Sequence, residues 1–352
     1  MLEAVAVKLL QSGFVANDLS VLWHAGEPFV LGPDYYQNAF DILRRGAPRP
    51  LTLRHKFQTN GTLLTQRWCE FFEANHASVG LSLDGPERFH DRHRRTRSGS
   101  GTFAEVLRAA EILKAHRLPF YVICVLTADS LDHPDEFFDF FEALGVRRIL
   151  FNIEEIEGAN RQSSLSRPDS EARYKFFLSR YFDRLRAANS KQHVRELHDT
   201  VSNILAHRKT PIHNTLTRPF SSIAVDTEGN VSTFSPELLA ARDRRHGGFI
   251  FGNLLTDRIE DIRRSSKFTT VAAEIAAGVE ACRRDCAYFP VCGGGSPSNK
   301  LAETGRFDCT EPLYCRLTVK TVTDLMLAKL GEHEVPRPDR TRLRWHSKHG
   351  QT

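Results

Sequence analysis

Short apolar runs alternate with amphipathic segments over the first 160 residues of the chain. Five of these runs are rich in β-branched and aromatic residues and predict strands: "SVLWHAG", "HKFQTNG", "SVGLSLDG", "FYVICVLT" and "RILFNIEE". Each run follows a segment with apolar residues at helical spacing, such as "PDYYQNAFDILRR". Strands separated by helices of this length predict right-handed βαβ units and therefore a parallel sheet.

The N-terminal stretch "MLEAVAVKLLQSGF" reads as an amphipathic helix in front of the first predicted strand. A β/α barrel normally opens on a strand, so the pattern predicts a partial barrel that lacks its first strand. The predicted strands end in polar or glycine-rich residues, as in "WHAGEP", "QTNG" and "SLDGP". Because active sites of β/α barrels collect at the C-terminal ends of the strands, we expect the chemistry at that rim.

The second half of the chain reads differently from the first. Residues 168–208 predict two polar helices, and "SSIAVDTEGNVSTFS" predicts a β-hairpin with a Glu-Gly-Asn turn. A cysteine-rich region then extends to about residue 316, before a closing helix "LTVKTVTDLMLAKL". These patterns divide the chain into residues 1–210, residues 211–330, and a basic tail at 331–352 that is predicted to be disordered.

Length and composition narrow the class of protein. The 352 residues suffice for one large α/β domain or two domains, and 41% hydrophobic with 26% charged residues fits a globular chain. A net charge of +5 is mild for this length, so we expect no nucleic-acid partner. No apolar run reaches the ~18–20 residues of a membrane helix. The chain does not start with a signal peptide, so we expect no membrane partner and a cytoplasmic location.

Seven cysteines are present, and five of them lie in the last quarter of the chain. Clustered thiols without a signal peptide more often bind metal than form disulfides. The pattern C-x3-C-x5-C over Cys282, Cys286 and Cys292, with the more distant Cys315, favours a [4Fe–4S] cluster, which takes four thiolates. A zinc site is an alternative, although no histidine lies between Cys282 and Cys315. Plain thiols are another, and Cys309 reads as a substitute ligand or a spare thiol.

Several motifs together match a known family: "WHAGEP", "QTNGTLL", "LSLDGPERFHDRHRRTRSGSGTF", "FNIEEIEG", and above all "YFPVCGGGSPSNK" with "ETGRFDCTEPLYCRL". From Val21 to Leu330, the chain resembles radical SAM enzymes with a SPASM-type C-terminal extension. It is most similar to the peptide maturases that form cyclophane cross-links in ribosomally made peptides. The resemblance implies a partial (β/α)6-type radical SAM barrel over 1–210 and a SPASM-like iron–sulfur domain over 211–330.

The resemblance also implies where S-adenosylmethionine binds. In "WHAGEP", Gly26 and Glu27 take the positions that contact its amino group, Glu27 by a charge-assisted contact. Asn60, Ser82 and Asp84 fall where contacts to its ribose or methionine part are expected, although each also suits a turn. Two sets of charged residues allow two interpretations, a solvated surface or a contact with cofactor or substrate. The sets are Arg94, Arg95 and Arg97, and Glu154, Glu155 and Glu157.

One family feature is missing from this sequence. Radical SAM chemistry needs three cysteines spaced C-x3-C-x2-C to hold the [4Fe–4S] cluster that binds S-adenosylmethionine, and no such motif occurs here. Three explanations are open: a start inside a longer protein, a pseudo-enzyme, or a segment supplied by a separate polypeptide. We expect the radical SAM cluster only if a missing N-terminal segment exists, and we expect this chain alone to be inactive.

The function implied is hydrogen abstraction from a β-carbon of a precursor peptide, followed by capture of the carbon radical by an aromatic ring. The Cys282/Cys286/Cys292/Cys315 cluster would be auxiliary, accepting an electron or shaping the peptide channel. The expected partners are a precursor peptide or protein substrate and a reductase or flavodoxin as electron donor. An anaerobic sulfatase maturase is the alternative within the class. A non-catalytic iron–sulfur or zinc protein that binds a peptide is the alternative outside it.

Overall fold

The computed structural model describes residues 1–331 apart from 16, 159, 207–211 and 213. The predicted disordered tail lies outside the described residues from 332 onward. The predicted boundary near 210 falls in the gap at 207–211. The division into 1–210 and 211–330 stays a prediction.

A parallel sheet of six strands runs through the first part of the chain, and its strands lie side by side in sequence order. They are β1 (Asp18–Trp23), β2 (Thr52–Thr59), β3 (Ser78–Ser82), β4 (Phe120–Leu126), β5 (Arg148–Ile153) and β6 (His193–Val194). The predicted α/β class is confirmed, and β1–β5 are the five predicted strands. The sixth strand is additional: it separates the two helices predicted over 168–208 and pairs with β5.

Helices connect these strands and cover the sheet. They are α1 (Leu2–Ala4), α2 (Pro33–Gly46), α3 (Gln66–Asn75), α4 (Glu87–His93), α5 (Phe103–Ala115), α6 (Pro134–Leu144), α7 (Ser170–Ala187) and α8 (Arg195–Ala206). The N-terminal helix is predicted correctly, but it continues from α1 as a π-helix over Val5–Leu9. None of the described helices combines the length and the apolar character that crossing a bilayer requires.

Helix α6 illustrates how the sequence builds one of these units. Pro134 occupies the first turn, where a missing N–H costs nothing, and two acidic residues there favour the helix N-terminus. Phenylalanines recur at helical spacing, and Phe137 and Phe141 are fully buried against the sheet. The helix ends at Gly145, whose φ of 76° is a left-handed conformation that suits glycine.

The second part of the chain contains an antiparallel sheet and further helices. The predicted hairpin is confirmed as β7 (Ile223–Val225) and β8 (Asn230–Thr233), and β9 (Gly252–Asn253) adds a third strand. The helices are α9 (Ile259–Arg264), α10 (Ser266–Asp285), α11 (Phe289–Cys292), α12 (Pro297–Thr304) and α13 (Val322–Gly331). The predicted closing helix is α13, preceded by a π-helix over Cys315–Thr321.

Two large apolar cores follow from this arrangement. The first lies around the six-stranded sheet, and the second joins β8 to α10 and to Leu9 of the N-terminal helix. The chain returns to the first core after the second, because Leu317, Val322 and Met326 pack there. The cysteine-rich segment therefore lies between two stretches that belong to the core of the parallel sheet.

Candidate functional site

Glu27 ties the loop after β1 to the end of β2. Its Oε1 accepts hydrogen bonds from the Phe29 N–H at 3.0 Å and the Thr59 hydroxyl at 2.6 Å, and its Oε2 accepts from the Asn60 N–H at 2.8 Å. Gly26, just before it, has a φ of 65° and begins the turn toward Pro28. A carboxylate accepts about four hydrogen bonds, so Glu27 keeps room for one further donor.

Two other predicted cofactor contacts lie at the ends of β2 and β3. Asn60 forms a turn, because its Oδ1 accepts from the Thr62 N–H at 2.9 Å and the Thr62 hydroxyl at 2.8 Å. The Ser82 hydroxyl accepts a hydrogen bond from the Gln58 side chain at 3.1 Å. Gly26, Glu27, Asn60 and Ser82 thus line one edge of the parallel sheet, which is the edge that the strand pattern predicts for the site.

Asp84 forms a buried ion pair. Its carboxylate binds the guanidinium of Arg94 through two contacts, of 2.6 and 3.1 Å, and also accepts from the Val125 N–H at 2.9 Å. The pair joins the end of β3 to β4 and to the end of α4. Arg94 is one of the three arginines whose role the sequence did not decide. It binds Asp84 and is not part of a solvated loop.

Gln58 is a feature that sequence reasoning missed. Its side-chain Oε1 is buried and has no hydrogen-bond partner among the described residues. Gly80 makes room for this amide, since a Cβ there would lie 2.4 Å from that oxygen and 2.3 Å from the Tyr121 ring. A buried carbonyl oxygen without a donor is costly, so this position next to Ser82 suits a ligand hydroxyl or N–H.

The three glutamates after β5 occupy different environments. Glu154 accepts from the Ser164 N–H at 2.6 Å, and Glu155 accepts from the Asn299 side chain of α12 at 2.7 Å. The carboxyl groups of Glu155 and Glu157 lie close enough to affect each other's ionisation, so the two titrate as a pair. Burial and the charge of Glu237 raise the pKa of Glu157 to about 8, and burial raises the pKa of Glu155. This acidic pair is not a solvated surface.

The raised pKa predicts a pH effect on stability. Between pH ~4.5, where an unfolded glutamate titrates, and pH ~8, the native state holds more protons than the unfolded state, so stability falls as pH rises. The variant Glu157→Gln cannot ionise at this position. We expect it to gain stability over wild type on going from pH 5 to pH 8, by about 1–3 kcal/mol, measured as urea unfolding at each pH.

The matched control is Glu154→Gln, on the same loop. It should keep the wild-type dependence on pH, because its carboxylate is not part of the Glu155–Glu157 pair. Parallel stability curves for wild type and Glu157→Gln across this range would show that the pKa of Glu157 is not raised.

The four predicted cluster cysteines come from three elements. Cys282 lies in the last turn of α10, Cys286 follows that helix, and Cys292 is the last residue of α11. Cys315 begins the π-helix before α13. Burial raises the pKa of Cys315 to about 12, and the charges of Cys292, Cys286 and Cys282 act in the same direction. The fold thus brings the four thiols into one neighbourhood.

The glycine triplet shapes one side of this neighbourhood. The Gly294 N–H donates to the Cys292 sulfur at 3.5 Å, and its φ of 110° is a conformation that L residues rarely adopt. The side chain of Asn214 donates to the Cys292 carbonyl at 3.1 Å and to the Gly295 carbonyl at 2.7 Å. The turn that presents Cys292 is therefore held from both sides.

Two further residues define this region. The amine of Lys300 donates to the Cys282 sulfur at 3.3 Å, although nothing in the sequence pattern singles Lys300 out. Cys309 instead contacts the Thr304 hydroxyl at 3.3 Å and the Arg306 carbonyl at 3.6 Å. N–H donors to thiolate sulfur are the groups that tune iron–sulfur sites, so the residues present fit a cluster on the other four cysteines.

A single metal ion and a cluster need different arrangements of ligand atoms. Within the described ranges, no group of three or more His, Cys, Asp or Glu side chains is arranged to hold one ion. In a [4Fe–4S] cluster each of the four irons takes one thiolate, so the sulfurs surround a larger body. The ligand set Cys282, Cys286, Cys292 and Cys315 stays a prediction.

Residues 6–156 match the family described as the radical SAM superfamily. They form a radical SAM domain. The chain belongs to the same family as the uncharacterized protein sll1766 of Synechocystis sp., with 39% identity over 94% of this chain and 84% of that protein. The serine-type anaerobic sulfatase-maturating enzyme of Bacteroides thetaiotaomicron is 36% identical over 37% of this chain and 31% of its own length.

Solved structures extend the likeness in fold beyond the radical SAM domain. The structure of native anSMEcpe with bound AdoMet has a TM-score of 0.74 and 22% identity, covering 94% of this chain and 88% of that one. Streptococcus suis SuiB bound to precursor peptide SuiA has a TM-score of 0.57 and 13% identity, covering 85% and 65%. The radical SAM domain places the chain among enzymes. The cofactors of the radical SAM family are S-adenosylmethionine and a [4Fe–4S] cluster.

The two cofactors of this domain fit the chain unequally. The free Oε1 of Gln58 and the remaining acceptor position of Glu27 suit S-adenosylmethionine, which carries an ammonium and hydroxyl groups. The cluster that binds S-adenosylmethionine needs a C-x3-C-x2-C motif, which the seven cysteines do not supply. The residues present therefore do not fit that second group.

Proposed function

We propose that this chain is part of a radical SAM peptide maturase that forms C–C cyclophane cross-links in a ribosomally made precursor peptide. The observation that supports the proposal is that the Cys282 and Cys292 sulfurs both contact Gly294, with Cys286 and Cys315 near enough for their charges to interact with them. The contact of Asn299 with Glu155 links this region to the rim of the radical SAM sheet. Cys282, Cys286, Cys292 and Cys315 would hold an auxiliary [4Fe–4S] cluster.

For S-adenosylmethionine we propose a site formed by Gly26, Glu27, Asn60, Ser82 and Asp84. When bound to its cluster, this cofactor supplies the hydrogen-abstracting chemistry of the family. The described contacts suggest different roles for these residues. Glu27 and Asp84 fix the loops after β1 and β3 through their own hydrogen bonds. Gln58 and Ser82 offer polar atoms at the inner side of that rim.

A peptide substrate is the class that the structural neighbours favour. anSMEcpe has been solved with the Cp18Cys peptide, and SuiB with its precursor peptide SuiA. In this chain the half-buried pair Glu155 and Glu157 lies at the rim where such a peptide would enter. A reductase or flavodoxin would be the electron donor.

Sulfatase maturation is the second candidate. The relatives from Bacteroides thetaiotaomicron and Clostridium perfringens favour it, but each match covers less than half of either chain. The product differs chemically: that reaction oxidises one Cys or Ser side chain to an aldehyde, whereas a cyclophane joins two residues. A non-catalytic cluster or zinc protein that binds a peptide is the third reading.

The first experiment is metal content after anaerobic reconstitution of the 352-residue chain with iron and sulfide, with formation of 5′-deoxyadenosine assayed on the same sample. We expect about four irons per chain and no cleavage of S-adenosylmethionine. About eight irons with cleavage would mean that the cysteines form the radical SAM cluster after all. Stoichiometric zinc without iron would remove the auxiliary cluster and favour a binding protein.

The reaction itself is tested by co-expressing the gene, together with any in-frame sequence upstream of it, and candidate precursor peptides. A cyclophane removes two hydrogen atoms and leaves no fragment ions between the joined residues in tandem mass spectrometry. A sulfatase-motif peptide serves as the comparison, with hydrazine capture of the aldehyde as readout. Aldehyde formation with unmodified neighbouring peptides would replace cyclophane formation by sulfatase maturation.

A further inference from the structure

Lys300 has a side chain that is 2% exposed, in the first half of α12. Its neighbours from Pro297 to Leu301 are buried as well, so water does not reach the amine. A buried amine is costly unless its N–H groups find acceptors. The acceptors around Lys300 therefore indicate what the fold uses it for.

Two acceptors lie within reach of the amine in the described part of the chain. One is the Gly278 carbonyl and the other is the Cys282 sulfur, each 3.3 Å from Nζ. Both acceptors lie on the same face of α10, since residues 278 and 282 are four positions apart, about one helical turn. The amine carries three N–H groups, so one remains for a further acceptor in the cysteine neighbourhood.

We propose that Lys300 is a positioning residue of the auxiliary cluster: its amine donates a hydrogen bond to the Cys282 sulfur and raises the cluster's reduction potential. The inference rests on the proposed cluster at Cys282, Cys286, Cys292 and Cys315. A cluster held by four thiolates is anionic and becomes more negative on reduction. Hydrogen bonds to sulfur and nearby positive charge both favour the reduced state.

The rest of α12 fixes Lys300 in place. Asn299, the preceding residue, is buried and donates to Glu155 at the rim. Ser296 and Ser298 hydrogen-bond to each other at 3.1 Å in the same buried turn. On the other side, the Thr304 hydroxyl donates to the Lys300 carbonyl at 2.7 Å. With the backbone held on both sides, the amine keeps its direction toward α10 rather than turning to solvent.

A second lysine offers a matched control. Lys320 lies close enough to Cys286 and Cys315 to interact with their charges, but it forms an ion pair with Glu311 at 2.6 Å and is more exposed. Its charge is therefore partly neutralised and screened by solvent. Replacing Lys320 should change the cluster much less than replacing Lys300.

The experiment is a redox titration followed by electron paramagnetic resonance on the reconstituted chain and its variants. We expect Lys300→Met to keep its iron and to show an at least tenfold lower ratio of reduced to oxidised cluster at a fixed potential, a shift of ~59 mV. Lys320→Met should stay within twofold of wild type. A Lys300→Met ratio within twofold of wild type would overturn the proposal.

A loss of cluster in Lys300→Met is also decisive when Lys300→Arg is included. A folded Lys300→Met without iron, beside Lys300→Arg with iron, would support a donor at this position. Loss of iron in both variants would mean that an N–H donor at position 300 is not sufficient for cluster binding, and would count against the proposal. Wild-type protein labelled with 15N-lysine adds a readout without substitution: the reduced cluster should show coupling to a lysine nitrogen, and its absence would count against the proposal.

Failure of the proposed cluster is recognised separately. It appears in the wild type as zinc or as an absence of iron, before any lysine variant is considered, and it removes this inference too. A wild-type protein with about four irons and an unchanged Lys300→Met potential leaves the cluster intact and removes only the role of Lys300.

Discussion

Replacing Cys315 by alanine should remove most of the iron from the reconstituted chain, from about four atoms to fewer than one. Cys315 is buried and comes from a different element than the other three predicted ligands, so it joins the set from a segment more distant in sequence. A cluster left with one iron that lacks a protein thiolate is exposed to loss. The measurement is iron and acid-labile sulfide per chain, with the visible absorbance of the cluster.

Cys309→Ala is the control from the same region. Its thiol contacts Thr304 and Arg306, so the iron content should stay at the wild-type value. Cys124→Ala, in the sheet core, should likewise keep the cluster, although it costs stability as a buried residue. A Cys315→Ala protein with full iron, or a Cys309→Ala protein without it, would reassign the ligands.

Arg94→Met is expected to destabilise the parallel sheet by about 3–5 kcal/mol. The substitution leaves the carboxylate of Asp84 buried, with the Val125 N–H as its one remaining donor in the described part of the chain. Urea unfolding followed by tryptophan fluorescence measures the loss, because Trp23 and Trp68 both pack in this core.

The double variant Asp84→Asn with Arg94→Met separates the two contributions. It removes the charge along with its partner, so it should be more stable than Arg94→Met alone. Arg95→Met is the neighbouring control, since Arg95 is exposed and, among the described residues, its side chain donates only to the Gly99 carbonyl. We expect an effect within ~0.5 kcal/mol there. Equal losses for Arg94→Met and Arg95→Met would contradict a buried pair.

The strands β1–β5 could be predicted because each is a short run rich in β-branched or aromatic residues between helices with a clear period. β6 and β9 contain two residues each, which is too short for any periodic pattern, and their pairing depends on neighbours distant in sequence. The π-helices at Val5–Leu9 and Cys315–Thr321 were expected as ordinary helices, since the same apolar spacing serves both.

At the site, the residue types were enough to predict where the site lies, but not which contacts its residues form. The pattern placed Glu27, Asn60, Ser82 and Asp84 at strand ends, but their hydrogen bonds to Thr59, Thr62, Gln58 and Arg94 depend on three-dimensional packing. Lys300 shows the limit most clearly. Lysine is rarely buried, so no reading of "GGGSPSNK" predicts an amine directed at a cysteine sulfur.

The return of residues 317–326 to the first core has a consequence for how the protein is made. During synthesis the parallel sheet emerges from the ribosome long before Leu317, Val322 and Met326, so its core stays incomplete until the segment that carries them is available. Cys315 arrives on that same segment. Docking of this segment therefore completes the apolar core and the predicted set of four thiols in one step. A cluster-assembly system would meet a finished site only after residues 315–331 have left the ribosome.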